Sequence, residues 1–462
     1  MADTVSITYV DPEDPSKERS TTIDRGKTLL EAGHAAGVEI EATCGERGRC
    51  RTCRVKIISG EVPPPTIQDT VQLGHEEVRE NFRLACQTKV IADTKVMALP
   101  PKAEVGHQIL SSDKSLADDD RMTLDCGVAK YVVKATTPTE EHHQTSDWEE
   151  MISVLPDNVS RDVSLEVLRK VPGAIRAQSG NMTVTTFNDR IIDVEAGDML
   201  EHKYGMAFDI GTTSIVGTLI NLETGETLAD VGGVNPQAVY GGDLMSRIAY
   251  AQFDEKKLAT LRGRALNALN DFIRDASQQA EIDAAHIYKI VIVGNTCMHH
   301  ILLGVDVTYV GLAPYAPVIR DALALPARDL PLKRAVNAQV CFLPIVAGFV
   351  GADTMACVLA TRIYDSEEIR TLVDIGTNGE VVMGSKERLM VCSAPAGPAL
   401  EGAQIRHGMR GALGAIEKIA IDDDIACTVI GDTPAIGICG SGLIDACAKL
   451  ATVEVLEKSG RL

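Results

Sequence analysis

Four cysteines constrain the first part of this chain more than any other residues: Cys44, Cys50, Cys53 and Cys86. They read C-x5-C-x2-C, then 32 residues, then C. Three thiols crowded on one loop, with a fourth arriving from afar, match the way a polypeptide wraps a 2Fe-2S cluster. Thiolates are soft, anionic ligands suited to iron. Gly45 and Gly48 let the backbone curl so that peptide N–H groups can face sulfur. The competing reading is a structural zinc site. Zinc frameworks usually pair two C-x2-4-C knuckles, and here only Cys50 and Cys53 form such a pair. The spacing therefore predicts an electron-carrying unit with these four cysteines as ligands. Arg47, Arg49, Arg51 and Arg54 surround them, either to guide an acidic donor or as plain solvated charge.

At 462 residues the chain is too long for a single core. A net charge of −20 disfavours nucleic acid, whose phosphates would be repelled. Aromatic residues are only 4% of the chain, with Trp148 the single tryptophan, so a base-stacking platform is not expected either. Small molecules and protein partners remain. No signal-type start is visible, and the longest apolar candidate, residues 340–352, contains Pro344 and runs into Asp353. It reads as buried core rather than a membrane span. A cytoplasmic location is expected, and cysteines there serve as metal ligands or buried thiols rather than disulfides.

Four units are expected along the chain. Residues 1–96 read as a small sheet gripping one helix, a β-grasp: Val5, Ile7 and Tyr9 alternate with polar residues, residues 21–23 supply a partner strand, and residues 28–36 form a helix stopped by Gly37. A strand over 54–58 closes at Ser59-Gly60. Residues 97–125 are polar and aperiodic, with Pro100-Pro101 and an Asp118–Asp120 run, and read as a linker. Residues 126–204 read as a small α+β domain without chemistry: strands over 129–135 and 181–188 around a helix over 163–170. Residues 205–462 read as α/β.

That last unit contains an internal echo. An apolar strand ends in Asp209-Ile-Gly-Thr-Thr213, and another ends in Asp374-Ile-Gly-Thr-Asn378, 165 residues later. Second and third strands succeed each, over 215–220 and 227–231, then over 380–383 and 388–392. Two such units imply similar subdomains facing one another. Each aspartate stands at a sheet lip, and the glycine, N–H and hydroxyl groups behind it can bind phosphate. Together they would clamp the phosphates of ATP, one carboxylate holding hydrated Mg²⁺ and the other orienting a water. No G-x-x-x-x-G-K-[ST] is present, so a P-loop is excluded. Between the echoes, Asp254 caps a helix with Leu258, Leu261, Ala265, Leu269, Phe272 and Ala276 on one face, and residues 289–293 form a buried strand.

On these motifs, the chain resembles known groups. The x5 cysteine gap is similar to adrenodoxin-like ferredoxins. The paired hairpins resemble the phosphate-1 and phosphate-2 motifs of actin-like ATPases, which include sugar kinases. A ferredoxin domain joined to that fold resembles the reductive activators of corrinoid proteins. Further matching stretches begin at Val293, Ala347, Ala396 and Gly437. The resemblance implies cluster ligation by Cys44, Cys50, Cys53 and Cys86. It implies a first phosphate hairpin of Asp209, Gly211, Thr212 and Thr213, and a second of Asp374, Gly376, Thr377, Asn378 and Gly379. It also implies one-electron reduction of cob(II)alamin to cob(I)alamin on the corrinoid protein of a methyltransferase system, coupled to ATP with Mg²⁺. The electron donor is unspecified, and a homodimer is compatible. Such proteins usually continue well past position 462, so the chain looks C-terminally truncated and the second actin-like half incomplete.

Alternatives stay open on sequence grounds. The chain would serve another low-potential enzyme, act as a non-enzymatic 2Fe-2S redox sensor, or be a ferredoxin with an inert appendage. Gly440-Ser441-Gly442 would approach a phosphate or ribose, or simply start a helix. His299 and His300 read as core histidines rather than a metal pair. Cys297, Cys341, Cys357, Cys392, Cys427, Cys439 and Cys447 read as buried small hydrophobes.

Overall fold

The computed structural model describes residues 3–12, 14–42, 44–49, 51–99, 125–141, 144–376, 378–395, 407–409, 411–421 and 424–461. Cys50, Thr377, the segment from Ala396, nearly all of the expected linker and Leu462 lie outside them.

The N-terminal unit is a five-stranded sheet in the order β2-β1-β5-β3-β4. Its strands are β1 (Thr4–Val10), β2 (Glu18–Asp24), β3 (Arg54–Gly60), β4 (Phe82–Leu84) and β5 (Thr94–Ala98). Val5, Ile7 and Tyr9 of β1 point into the core, as alternation requires. Helix α1 (Leu29–Ala35) starts at a Thr28/Glu31 capping box and buries Leu29 and Leu30 against the sheet. The sequence reading missed α2 (Ile67–Arg79), which Thr66 and Asp69 cap in the same way. Gly74 breaks it at φ +79°, which obscures the helical period. Strand β3 also runs through Ser59-Gly60 instead of stopping there. A bulge after Ile57 absorbs the irregularity.

The next unit is an antiparallel sheet of β6 (Val128–Lys134), β7 (Asn181–Phe187) and β8 (Arg190–Ala196). Two helices, α3 (Asp147–Ser153) and α4 (Leu165–Ala177), cover it. Helix α4 continues past the expected stop at Lys170 and carries Pro172 inside it. An internal proline costs about 3 kcal/mol, but the turns beyond it bury Ala174 and Ile175 against the sheet.

The third unit is a six-stranded sheet in the order β11-β10-β9-β12-β14-β13. Its strands are β9 (Tyr204–Ile210), β10 (Ser214–Asn221), β11 (Thr227–Val234), β12 (Ile287–Gly294), β13 (Leu323–Pro326) and β14 (Gln339–Phe342). Four helices pack around it: α5 (Leu244–Ala251), α6 (Glu255–Gln279), α7 (Thr296–Leu303) and α8 (Ala352–Thr361). Asp254 caps α6, and Leu258, Leu261, Ala265, Leu269 and Ala276 are buried along its inner face, with Phe272 partly buried beside them.

The echo then appears in space. Strands β15 (Arg370–Ile375), β16 (Asn378–Ser385) and β17 (Arg388–Pro395) form an antiparallel meander like β9-β10-β11. A last small sheet of β18 (Ala415–Ile421), β19 (Ile425–Val429) and β20 (Gly437–Ile438) leads into α9 (Gly440–Thr452).

The scattered cysteines divide. Cys297 and Cys439 are buried, Cys341 and Cys357 half-buried, and Cys392, Cys427 and Cys447 exposed. The last three sit on β17, β19 and α9, where apolar neighbours in sequence alternate between two faces of a strand or helix. Among the described residues, no helix is long and apolar enough to cross a membrane.

Candidate functional site

Two constellations emerge, one around the aspartate hairpins and one around the cysteine loop. Asp209 stands near the end of β9 and opens on a cleft that solvent reaches. The cleft walls still strip away much of its bulk water, and Asp353 and Asp374 face it. Burial first, then those two carboxylates, push its carboxyl up to about 6. Asp353 lies in the first turn of α8 and is pushed up by burial and by Asp374. Glu380 is directly opposite Asp374 in the β15–β16 ladder, so two like charges share one face. Burial and the nearby Asp353 and Asp374 push Glu380 up as well, against the Ser393 hydroxyl that donates to it at 3.0 Å.

The first hairpin loop, residues 211–213, is held from behind. Asn235 Nδ2 donates to the Gly211 carbonyl at 2.8 Å, and the Asn235 N–H donates to the Thr213 carbonyl at 2.8 Å. The Arg247 guanidinium donates to the Thr212 carbonyl. Three successive loop carbonyls, those of Gly211, Thr212 and Thr213, are thus each held by a donor from outside the loop. Asn295, which caps α7, also donates to the Thr212 hydroxyl at 3.4 Å. Gly351 approaches it so closely that a Cβ there would lie 2.4 Å from the Asn295 Cα. In the second hairpin, Gly376 N donates to the Asn378 carbonyl at 3.1 Å, and Gly379 pairs with Ile375 across the turn.

In the cysteine loop, the Cys53 and Cys86 sulfurs lie 3.4 Å apart. A tetrahedral metal with bonds of about 2.3 Å would hold two sulfurs about 3.7 Å apart, so this pair suits two ligands of one iron. The Cys53 sulfur, with help from the Gln87 amide, holds the Cys86 thiol below its ordinary range despite burial. Donors already face sulfur: Arg49 N reaches Cys44 Sγ at 3.3 Å and Gln87 Nε2 reaches Cys86 Sγ at 3.4 Å. The donor set fits an iron–sulfur centre. Among the described residues no three His, Cys, Asp or Glu side chains close around a single ion. Three of the four arginines are committed internally. Arg51 and Arg54 both donate to Glu77 Oε1, at 2.6 and 2.7 Å, and Arg47 donates to Asp243 and Ser246.

Comparison with known proteins places these features together. Residues 13–90 match the 2Fe-2S iron-sulfur cluster binding domain, 117–201 the RACo linker region, 204–366 the RACo middle region, and 368–462 the C-terminal ASKHA domain of RACo. The chain is 32% identical over 452 residues to the corrinoid activation enzyme RamQ of Eubacterium limosum, covering 96% of this chain and 71% of that protein. The chain belongs to the family of reductive activators of corrinoid proteins. A solved structure of a reductive activator for corrinoid, iron-sulfur protein superposes with TM-score 0.67 at 29% identity, covering 99% of this chain and 74% of that one. A Methanosarcina barkeri reductase, named for a Co(II) methylated amine-specific corrinoid protein, is 27% identical over 291 residues, 56% of this chain and 53% of its own. This activator thus carries a 2Fe-2S-type domain and an actin-like ATPase domain in one chain.

Within this activator, Asp209 and Asp374 lie within electrostatic reach of one another. Gly440-Ser441-Gly442 opens α9, and Gly442 is pressed against the Ile416 carbonyl. Ser441 Oγ contacts Cys439 Sγ at 3.2 Å. His299 and His300 are buried in α7, and burial with the neighbouring His300 pushes His299 down to about 4. The His300 Nε2 accepts from Val318 N at 2.9 Å, as a core histidine does. Sequence reasoning missed Asp353, Glu380, Asn235 and Arg247. The Gly351-Ala-Asp353 run after an apolar stretch was the available signal for the first. Arg247 carried none, because an arginine within an amphipathic helix normally reads as surface.

Proposed function

We propose that this chain restores oxidised corrinoid proteins to the methyl-accepting state, moving one electron from the N-terminal unit to cob(II)alamin and coupling that transfer to ATP. The carrying observation is the union, along one chain, of a thiol loop and an acid-lipped hairpin pair, in a fold that matches a reductive activator over 99% of its length. Cys44, Cys50, Cys53 and Cys86 hold the cluster. A plant-type 2Fe-2S centre supplies one electron at a potential near −400 mV. An acceptor a few hundred millivolts lower is almost never reduced at equilibrium, since each 59 mV is a factor of about ten for one electron. The ATPase half answers that gap only if nucleotide binding favours one conformation over another.

In this reading the first hairpin, Gly211, Thr212 and Thr213, receives phosphate oxygens as a nest does, and Gly376, Thr377, Asn378 and Gly379 make up the second phosphate hairpin. Asp209 and Asp374 take hydrated Mg²⁺ and the attacking water. Mg²⁺ keeps several waters and binds through one or two carboxylates plus phosphates, which is the part these two aspartates would play. Gly440-Ser441-Gly442 contributes its helix N-terminus to the nucleotide side of the cleft. The test mixes reduced protein with a cob(II)alamin carrier and records the cobalt spectrum with and without Mg·ATP. An ATP-dependent cob(I) signal is expected, and its absence defeats the coupling.

A further inference from the structure

The segment 235–247 touches both constellations. At one side it holds the phosphate hairpin: Asn235 on the Gly211 and Thr213 carbonyls, Arg247 on the Thr212 carbonyl. At the other it holds the cysteine loop. Ala42 N donates to the Val239 carbonyl at 3.1 Å. Arg47 Nη2 donates to Asp243 Oδ2 at 3.2 Å and to Ser246 Oγ at 2.9 Å, while its Nε donates to the Cys44 carbonyl at 2.6 Å. Gly45 lies against α5 at φ +62°, where a Cβ would sit 2.7 Å from the Ser246 Cβ. No slack remains between the loop and the helix.

The segment is also braced on itself. Arg247 is fully buried, with Nε on the Gly241 carbonyl at 2.8 Å and Nη1 on Gln237 Oε1 at 3.1 Å. Burying a guanidinium is costly unless its donors are all met, and its planar fork meets several carbonyl acceptors at once, as an ammonium would not. Ser246 and Arg247 are consecutive: one meets the cysteine loop, the other the phosphate hairpin.

We propose that Arg247 and Arg47 are positioning residues of one mechanical link, in which α5 ties the peptide of Thr212 to the peptide of Cys44, so that occupancy of the phosphate hairpin alters the surroundings of a cluster ligand. This rests on the function proposed above. A phosphate on the hairpin nest pulls against the same carbonyls that Arg247 and Asn235 hold. Any displacement passes through a fully buried guanidinium to the first turn of α5, and from Asp243 and Ser246 to Arg47. Linkage then requires the reverse: the redox state of the cluster alters affinity for nucleotide by the same factor.

The experiment uses the full chain, reconstituted anaerobically, with iron and sulfide counted. Equilibrium dialysis measures Mg·ATP affinity in the oxidised and the dithionite-reduced protein. A difference of at least about fivefold is expected. Mg·ATP should shift the reduced-to-oxidised ratio at fixed potential by the same factor, tenfold being about 59 mV. Arg47→Met should abolish both effects while iron content and oxidised-state affinity persist, because the Arg47–Asp243 pair is substantially exposed and adds little to folding. Arg247→Lys, which keeps the charge but not the fork, should narrow the difference. Equal affinities in the two redox states, with cluster and nucleotide both bound, overturn the link and leave the proposed function standing. A difference that survives in Arg47→Met also overturns it. Failure to bind nucleotide or iron at all brings down both.

Discussion

At Asp209 the cleft keeps a carboxyl that burial, Asp353 and Asp374 push up to about 6. An unfolded aspartate titrates near 3.9. Between those values the folded chain holds more protons, so this group stabilises the fold at low pH and that contribution is lost as pH rises through about 6. Asp209→Asn removes the loss. In Mg²⁺-free buffer at pH 7.5 the variant should be more stable by about 1 kcal/mol, discounted for the solvent that reaches the cleft, read as a higher thermal midpoint. The same variant should weaken Mg·ATP binding at least about tenfold, since the charge that costs stability is the one that meets the metal. In the unmodified chain, Mg·ATP affinity should fall as pH is lowered through about 6, where a proton competes for the site. A flat profile between pH 5 and 7.5 would remove Asp209 from metal binding.

Helix α2 shows how one element places a ligand. Asp69 is buried, and its Oδ2 accepts from the Thr66 backbone N–H and hydroxyl at the helix start. Its Oδ1 accepts from Leu84 N at 2.7 Å, two residues before Cys86. The element and the ligand-bearing turn are thus joined through one carboxylate. Asp69→Ala forfeits a cap worth about 1 kcal/mol and leaves a buried N–H without its acceptor, at about 1–3 kcal/mol. Denaturant unfolding of the N-terminal unit should show a loss of about 3 kcal/mol, with less iron retained per chain. Unchanged stability would mean that the Leu84 N–H finds water instead.

Across the whole molecule, the unit of residues 126–204 meets the larger sheet through a polar seam. Glu195 accepts from Tyr288 at 2.7 Å, from Lys130 at 3.2 Å, and pairs with His286 at 2.9 Å. Burial opposes ionisation of Glu195, but Tyr288, Lys130 and His286 outweigh it and hold its carboxyl below the usual glutamate range. A depressed carboxyl adds stability above the unfolded value, near 4.3, and loses it as pH falls through the folded one. The seam should therefore weaken in acid, as pH falls below the unfolded glutamate value. Glu195→Ala should cost about 3 kcal/mol, because the Lys130 ammonium, almost fully buried, is left without its charge partner. Calorimetry at pH 7 should show that loss, and a change under about 1 kcal/mol would mean that Lys130 escapes to solvent.

Chemistry written as a short run of residues was legible before any fold was known. The Cys44-x5-Cys50-x2-Cys53 loop, the D-I-G-T echo and the Asp254 cap are each set by spacing along the chain, where backbone geometry leaves few choices. The 28–36 helix and the strand pairs were readable for the same reason. What stayed hidden depends on residues far apart in sequence meeting in space. Asp353 joins Asp209 only because α8 packs beside the sheet, and Glu380 gains meaning only from its register against Asp374. Nothing in the sequence singled out Arg247, which is fully buried in the fold, because the carbonyls that satisfy it are brought together only by folding. Local spacing determined which groups this protein carries; long-range packing, through burial and like-charge proximity, decided which of them share a field and a contact.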